Sequence, residues 1–316
     1  MPSPDLAPAA PLVRWEETAM ASRVAVSVPD AARGLEEAAR LALDVFADVE
    51  QACSRFRPTS GLSRCNARPG RWHHAPQPLV RAVEEAARAH RETGGTFDPR
   101  VHDRLVQLGY DRSFASGPQP SSAVASPVRP RGPWRPRTHS RPGLVHLGGS
   151  RIDLGGIGKG LALRWSAEVM RARTEDFLIE AGGDVITSGS PGSGGWRIGV
   201  EAPDCSPGPL AVLEVSGLAV ATSSVRIRQW KVGEDTVHHL IDPATGQPGG
   251  GGLLSVTVVD ADPAWAEVWS KTLFLAGLQD VARTAVRRHL AALWVGPGGV
   301  TGTSPAMDQH VVWARA

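Results

Sequence analysis

The sequence feature that most constrains the fold is a glycine-rich stretch at the centre of the chain, Ile152-Asp153-Leu154-Gly155-Gly156-Ile157-Gly158-Lys159-Gly160. The residues up to Asp153 predict a strand before the glycines. Leu161, Trp165 and Val169, four residues apart, predict the apolar face of a helix after them. We therefore expect a strand, a glycine turn and a helix start in direct succession.

This succession is typical of an anion site. Glycine permits positive φ and close approach of the backbone to a ligand, and free N–H groups at a helix start attract negative charge. Lys159 adds a positive side chain. The spacing fits neither a Walker A loop, which needs Ser or Thr after the lysine, nor GxGxxG, because residue 163 is Leu163. The alternative is a tight turn that uses glycine for geometry alone, with Lys159 in solvent.

Patterns elsewhere predict an α+β fold with mixed or antiparallel sheets and flanking helices. Alternating apolar residues predict a strand over 21–28, and helical spacing predicts helices over 31–52, 76–93, 159–173, 264–276 and 279–289. The later β-rich runs lie at 144–147, 177–180, 196–201, 210–215, 218–222, 236–241, 254–259 and 291–295. A second glycine turn, Ala181-Gly182-Gly183-Asp184, is interpreted as structural.

Composition suggests how the chain is organised. We predict a flexible segment over 1–19, one part of a domain over 20–112, an insertion over 113–142 and the second part over 143–316. The insertion is rich in Pro, Arg and Ser without apolar periodicity, which predicts a solvated loop; a basic arm that touches a partner is the alternative.

Charge and cysteine content exclude several classes of protein. The formal charge of +2 gives no reason to expect nucleic acid as a partner, and no apolar run is long enough for membrane insertion. Cys53, Cys65 and Cys205 lack CxxC spacing, so we expect free thiols and a cytoplasmic location.

Five segments, in order along the chain, resemble motifs of the ApbE family of flavin transferases (FAD:protein FMN transferases). They are Cys53–Asn66, Gly95-Thr-Phe-Asp-Pro99, Asp153–Gly160, Ala221-Thr-Ser223 and His239-Leu-Ile-Asp-Pro-Ala-Thr-Gly246. Asp153–Gly160 is similar to the family's D-L-G-G-I-A-K-G. The resemblance covers residues from about 18 to 300 apart from the insertion, and it implies an ApbE-like, T-fold-related architecture.

The resemblance also implies an activity and a site. FMN would move from FAD onto a Ser or Thr of an acceptor protein, AMP would leave, and Mg²⁺ would bind at the pyrophosphate. The implied catalytic base is His239. The implied FAD-binding residues are Met20, Phe56, Thr96, Phe97, Asp98, Asp153, Gly155, Gly156, Lys159, Leu161 and Leu240. The implied metal contacts are the Gly158 carbonyl, Glu267 and Lys271.

A histidine suits the role of base, because an unperturbed pKa of about 6.5 lets it accept the proton of a poorly nucleophilic hydroxyl. We interpret the adjacent His238 as a residue without a catalytic role, facing the other way on a strand. Asp242 either caps the turn that follows or orients His239; the turn pattern favours capping.

The sequence departs from the family at the metal motif. Glu267 and Lys271 stand where the resemblance implies Asp and Thr. Trp265, Val268, Trp269, Thr272 and Leu273 predict a buried helical stripe, which places Glu267 and Lys271 on another face.

Three interpretations of this pair remain. It is an exposed ion pair contributing about 0.2–0.5 kcal/mol to the helix, or Glu267 ligates Mg²⁺, or Lys271 meets the pyrophosphate directly. Two other functions therefore remain as alternatives: an FAD-binding protein without turnover, and a Mg²⁺-dependent FAD pyrophosphatase that yields FMN and AMP.

Overall fold

The computed structural model describes residues 11–30, 34–112, 132–204, 206–226 and 228–315. Its α-helices are α1 Glu36–Cys53, α2 Gly61–Ala67, α3 Gln77–Glu92, α4 His102–Gln107, α5 Gly158–Arg171, α6 Pro263–Arg287 and α7 Pro305–Asp308. Its strands are β1 Leu12–Ala19, β2 Ser22–Pro29, β3 His73–His74, β4 Arg137–His139, β5 Leu144–His146, β6 Phe177–Ala181, β7 Asp184–Ser188, β8 Trp196–Glu201, β9 Pro209–Val215, β10 Ala219–Ser224, β11 Gln229–Val232, β12 Asp235–His238, β13 Ser255–Asp260, β14 Ala291–Val295, β15 Thr301–Thr303 and β16 Val311–Ala314.

The central sheet has eight strands in the order β1-β2-β6-β7-β10-β13-β14-β15. The strand pairs in this sheet are antiparallel. Three smaller sheets join β16-β9-β8, β3-β5-β4 and β11-β12. The predicted α+β class with antiparallel sheets and flanking helices is confirmed.

The central sheet separates two hydrophobic cores. Helices α1, α5 and α6 pack on one of its faces, and the sheet β16-β9-β8 with α7 covers the other. Because side chains alternate along a strand, Ala219 and Ala221 of β10 join the helical core while Val220 joins the second core. Helix α5 lies between α1 and α6, and this position fixes the glycine-rich turn that precedes it.

Two regions predicted to be flexible are partly ordered. Residues 12–19, inside the segment 1–19, form β1, which pairs along its whole length with β2. Five of their eight side chains are exposed and three are charged, as is common on an edge strand, so no regular apolar pattern indicated the strand. Residues 1–10 and 113–131 lie outside the described residues.

The end of the predicted insertion also belongs to the fold. Arg137–His139 forms β4, and Trp134 is 4% exposed. The Trp134 indole donates a 2.9 Å hydrogen bond to the carbonyl of Leu147. The prediction of a solvated loop is therefore wrong for this part of 132–142.

Three predicted elements change their bounds, and the strand predicted up to Asp153 is absent, since residues 151–154 have no regular secondary structure. The helices predicted over 264–276 and 279–289 form the single element α6, and Gly277 interrupts it with a left-handed φ of 77°. The strand predicted over 236–241 ends at His238, so His239 follows β12 instead of lying within it. Within the described part of the chain, no helix is both long enough and apolar enough to cross a membrane.

Candidate active site

A cleft of about 1920 Å³ opens where the glycine-rich turn, α6, the first residue of β7 and the segment after β12 meet. Nearly all residues that the sequence implied line it: Met20, Phe56, Thr96, Phe97, Asp98, Asp153, Gly155, Gly156, Gly158, Lys159, His239, Leu240, Glu267 and Lys271. Leu161 is the exception. It is 1% exposed and packs in the core beneath the turn, because the apolar face of α5 points into the protein.

Close packing, and not positive φ, explains the glycines of the turn. None of Gly155, Gly156, Gly158 and Gly160 has a left-handed φ, which corrects that part of the prediction. A Cβ on Gly160 would lie 2.5 Å from both the Ala264 Cα and the Pro263 carbonyl oxygen of α6. A Cβ on Gly156 would lie 3.1 Å from the Phe97 ring and 3.3 Å from the Lys271 side chain.

Several amides of the turn already have partners within the chain. Gly155 donates to the Asp153 carboxylate, Gly158 to the Leu154 carbonyl at 2.8 Å, and Gly160 to Glu267 Oε2 at 2.8 Å. Within the described residues, the amides of Gly156 and Lys159 have no such partner. The free N–H groups expected at the helix start are therefore limited, in the described part of the chain, to those of Gly156 and Lys159.

Lys159 forms a buried ion pair that the sequence did not indicate. Its Nζ contacts Asp184 Oδ2, and Asp184 Oδ1 accepts a 3.0 Å hydrogen bond from the Thr222 amide. The Lys159 side chain is 16% exposed, so it does not extend into solvent as the alternative interpretation required. The pKa of Lys159 is lowered to about 8, mainly by burial; Glu267 opposes this shift, and the nearby Lys271 and Arg228 contribute to it.

Glu267 is buried, and this excludes the interpretation as an exposed ion pair. Its side chain is 1% exposed, and Oε1 accepts a 3.1 Å hydrogen bond from Lys271 Nζ. Burial alone would raise the pKa of Glu267. Lys271, Lys159 and the Gly160 amide outweigh it, so the pKa lies below its usual value and the carboxylate is ionised.

These residues do not fit the implied magnesium site. Mg²⁺ requires oxygen ligands in near-octahedral geometry, and a protonated lysine has no lone pair to give. Both oxygens of Glu267 already accept hydrogen bonds, one of them from the Lys271 ammonium. Among the described residues, no group of three or more His, Cys, Asp or Glu side chains could hold a metal ion.

His239 lies at the cleft just beyond β12. Its Nδ1 is 3.4 Å from the carbonyl oxygen of Arg228, which can only accept, so Nδ1 carries the proton and Nε2 offers a lone pair. Burial, followed by the nearby Arg228 and Lys271, lowers the pKa of His239 well below 6.5. The side chain is therefore neutral at pH 7 and able to accept a proton.

His238 and Asp242, close to His239 in sequence, have contacts of their own. His238 packs edge-on against the Phe274 ring and does not line the cleft, in agreement with its interpretation as a residue without a catalytic role. Asp242 caps its turn by accepting from the Ala244 amide at 2.8 Å and from the Thr245 hydroxyl at 3.2 Å.

Trp230 and Arg104 join β11 and the turn at Gly246 to the segment around α4. The Trp230 indole donates a 2.7 Å hydrogen bond to the Leu108 carbonyl, and Arg104 donates one of 2.6 Å to the Gly246 carbonyl.

Aromatic and charged side chains line the end of the cleft near Phe56. The Phe56 ring lies 5.5 Å from that of Tyr110, and the Arg55 guanidinium stands 4.0 Å from the Phe56 centroid. Arg55 also pairs with Asp153. Asp98 is bound by Arg100, at 2.7 Å from Nη2, so its carboxylate is held in place at the cleft wall.

Sequence reasoning did not select several residues at the cleft. Arg55 stands inside a quoted motif, Asp184 closes the second glycine turn, and Tyr110 is the single tyrosine of the chain. Those signals could have found them. Arg228 lies in a segment without any pattern, and the sequence offered no signal for it.

Comparison with known proteins gives a consistent result. The ApbE family model matches residues 20–294. A FAD:protein FMN transferase of Salmonella typhimurium is 27% identical over 96% of this chain and 90% of its own length, and one of Escherichia coli K12 is 25% identical over 90% and 85%.

Solved structures agree with this match. The ApbE protein of Thermotoga maritima superposes with a TM-score of 0.83 at 25% identity, over 97% of this chain and all of the other. The flavinyl transferase ApbE of Pseudomonas stutzeri has the same fold, with a TM-score of 0.77 at 22% identity over 96% and 98%. The chain therefore belongs to the ApbE family.

Proposed function

We propose that this protein is a FAD:protein FMN transferase, which moves FMN from FAD onto a Ser or Thr hydroxyl of an acceptor protein and releases AMP. One observation carries the proposal: a neutral histidine and two half-buried lysines line the same cleft, although they come from distant parts of the chain. The relatives named above provide the substrate, because their names specify FAD and a protein.

The chemistry assigns a task to each group. The acceptor hydroxyl attacks the phosphorus of the FMN half, the P–O bond to the AMP phosphate breaks, and the hydroxyl proton passes to His239 Nε2. Lys159, Lys271 and the Gly156 amide stabilise the negative charge that spreads over the phosphate oxygens and leaves with AMP.

The cleft is also large enough for such a complex. Its volume of about 1920 Å³ exceeds the roughly 300–1,000 Å³ of ordinary small-molecule sites. We propose that the isoalloxazine half of FAD lies toward Met20, Phe56 and Phe97. This leaves the part of the cleft beside His239 for the acceptor side chain.

The experiment combines the purified protein, FAD and a pooled library of Ser- and Thr-containing peptides. We expect peptides with covalently bound flavin, detected by mass spectrometry, and one AMP per flavin transferred. AMP and FMN formed at the same rate without peptide would instead indicate a pyrophosphatase. Intact FAD bound for hours with no product would indicate a binding protein and refute the transferase.

We propose that the protein is located in the cytoplasm. Cys53 and Cys65 are free and buried, and burial raises the pKa of Cys53 to about 12. Free thiols are typical of a reducing compartment, which is the basis on which we propose the cytoplasm.

A further inference from the structure

The side chain of Lys271 lies against the glycine-rich turn. Its Cδ and Cε are 3.3 and 3.4 Å from the position that a Cβ on Gly156 would take. The Lys271 side chain is 17% exposed and lines the cleft. The Lys271 side chain of α6 therefore lies next to Gly156, whose amide has no partner among the described residues.

The carboxylates nearby are engaged with donors of the chain itself. Glu267 accepts from the Gly160 amide and from Lys271, and Asp184 accepts from the Thr222 amide and from Lys159. A divalent cation at Glu267 would stand next to the Lys271 ammonium, and like charges at such a distance repel strongly. The Lys271 ammonium therefore provides the positive charge next to Glu267 that a divalent cation would otherwise provide.

The site is positively charged without any added ion. Lys159, Lys271 and Arg228 are close enough to influence one another, since Lys271 and Arg228 both lower the pKa of Lys159. Glu267 and Asp184 compensate two of these three cations. The surplus positive charge favours a ligand that carries linked phosphates.

We propose that the Lys271 ammonium binds the pyrophosphate of FAD in place of a divalent cation, so that this chain binds FAD and transfers FMN without magnesium. The transfer half of this inference rests on the proposed function; the binding half does not. Glu267 then acts as a positioning residue, which holds Lys271 through the 3.1 Å hydrogen bond.

The test measures FAD affinity by flavin fluorescence, in EDTA and in MgCl₂. For the wild-type protein we expect dissociation constants that agree within twofold. Lys271→Met should weaken binding in EDTA at least tenfold, and Lys271→Arg should retain most of it. Glu267→Asp combined with Lys271→Thr should bind weakly in EDTA and recover at least tenfold in MgCl₂.

Lys231→Met is the matched control, because Lys231 is an exposed lysine on β11 outside the cleft. It should bind FAD like the wild type in both buffers. Thermal unfolding of each variant establishes that it is folded, and Lys271→Arg reports on the charge if Lys271→Met is unstable.

The outcomes separate the inference from the proposed function. Tenfold tighter binding by the wild type in MgCl₂ than in EDTA, or unchanged binding by Lys271→Met, overturns the role of Lys271. Equal binding in both buffers, with no transfer to the peptide library in either, supports that role and refutes the transferase. Absence of FAD binding in both buffers refutes both.

Discussion

Replacement of Gly160 by alanine tests how tightly the site is tied to the packing of α5 against α6. The new Cβ would lie 2.5 Å from the Ala264 Cα and from the Pro263 carbonyl oxygen, where ordinary contact begins at 3.4 Å. Both are backbone atoms and cannot rotate away. The two helices must therefore separate by about 1 Å, in a core that packs as densely as a crystal.

The magnitude follows from three contributions. Overpacking of this kind costs about 1–3 kcal/mol. Weakening the hydrogen bond from the Gly160 amide to the ionised Glu267, 2.8 Å long, costs about 1.5–3 kcal/mol. Alanine returns up to about 1 kcal/mol of helix propensity. We expect a net loss of about 1.5–5 kcal/mol in the free energy of unfolding, or a Tm lower by roughly 2–8 °C for a chain of 316 residues.

The assay is thermal unfolding by circular dichroism, with Gly70→Ala as control, because a Cβ on Gly70 meets nothing within 4 Å. Gly160→Ala should also weaken FAD binding, since Glu267 positions Lys271. A Tm within 1 °C of the wild type and of Gly70→Ala would show that α5 and α6 do not contact each other as described.

Three further expectations concern the charged groups of the cleft. His239→Asn should slow transfer about 10²–10⁴-fold and leave the FAD dissociation constant within threefold of wild type; equal loss of binding would contradict a role as base. Because the pKa of His239 lies well below 6.5, the transfer rate at saturating FAD should stay nearly flat from pH 7 to pH 6. An unperturbed histidine would lose about two thirds of its neutral form over that interval, so a decline of that size would contradict the assignment. Asp184→Asn leaves the Lys159 ammonium without its partner and should lower the free energy of unfolding, measured with urea, by about 3–5 kcal/mol. Lys159→Met added to Asp184→Asn should restore most of that stability. Losses that simply add in the double variant would exclude the ion pair.

Sequence patterns predicted the parts of the fold that depend on local periodicity. The helices over 31–52, 76–93 and 159–173 and most strands appear close to their expected bounds, because each buries one regular apolar face. Strand β1 was missed because most of its side chains are exposed, as on many edge strands, so that it shows no regular buried apolar face. The ApbE architecture is confirmed, whereas its relation to the T-fold remains a prediction.

The site was predictable in position but not in its charge pairing. The glycine turn, His239 and Glu267 each belong to a local motif of their own. The family resemblance predicted that these motifs share one site. The sequence placed Glu267 on a face of α6 other than the apolar stripe, and one of its three interpretations made that face exposed. In the structure the first turns of α6 are covered by α5 and by the sheet, so almost every residue there is buried.

The pairing of Lys159 with Asp184 depends on tertiary packing. The two residues are 25 positions apart and meet only when β7 lies beside α5. No periodicity records such a contact.

His239, the proposed proton acceptor, directly follows the hairpin of β11 and β12, which lies outside the eight-stranded sheet. Lys159 and Lys271, the proposed phosphate contacts, belong instead to α5 and α6, whose apolar faces pack into the main core. Local opening of the hairpin would withdraw His239 while the dinucleotide stays held by a folded body. With these proposed roles, we expect FAD retention and FAD cleavage to be separable, and hydrogen exchange of the hairpin amides to report on the opening that withdraws His239.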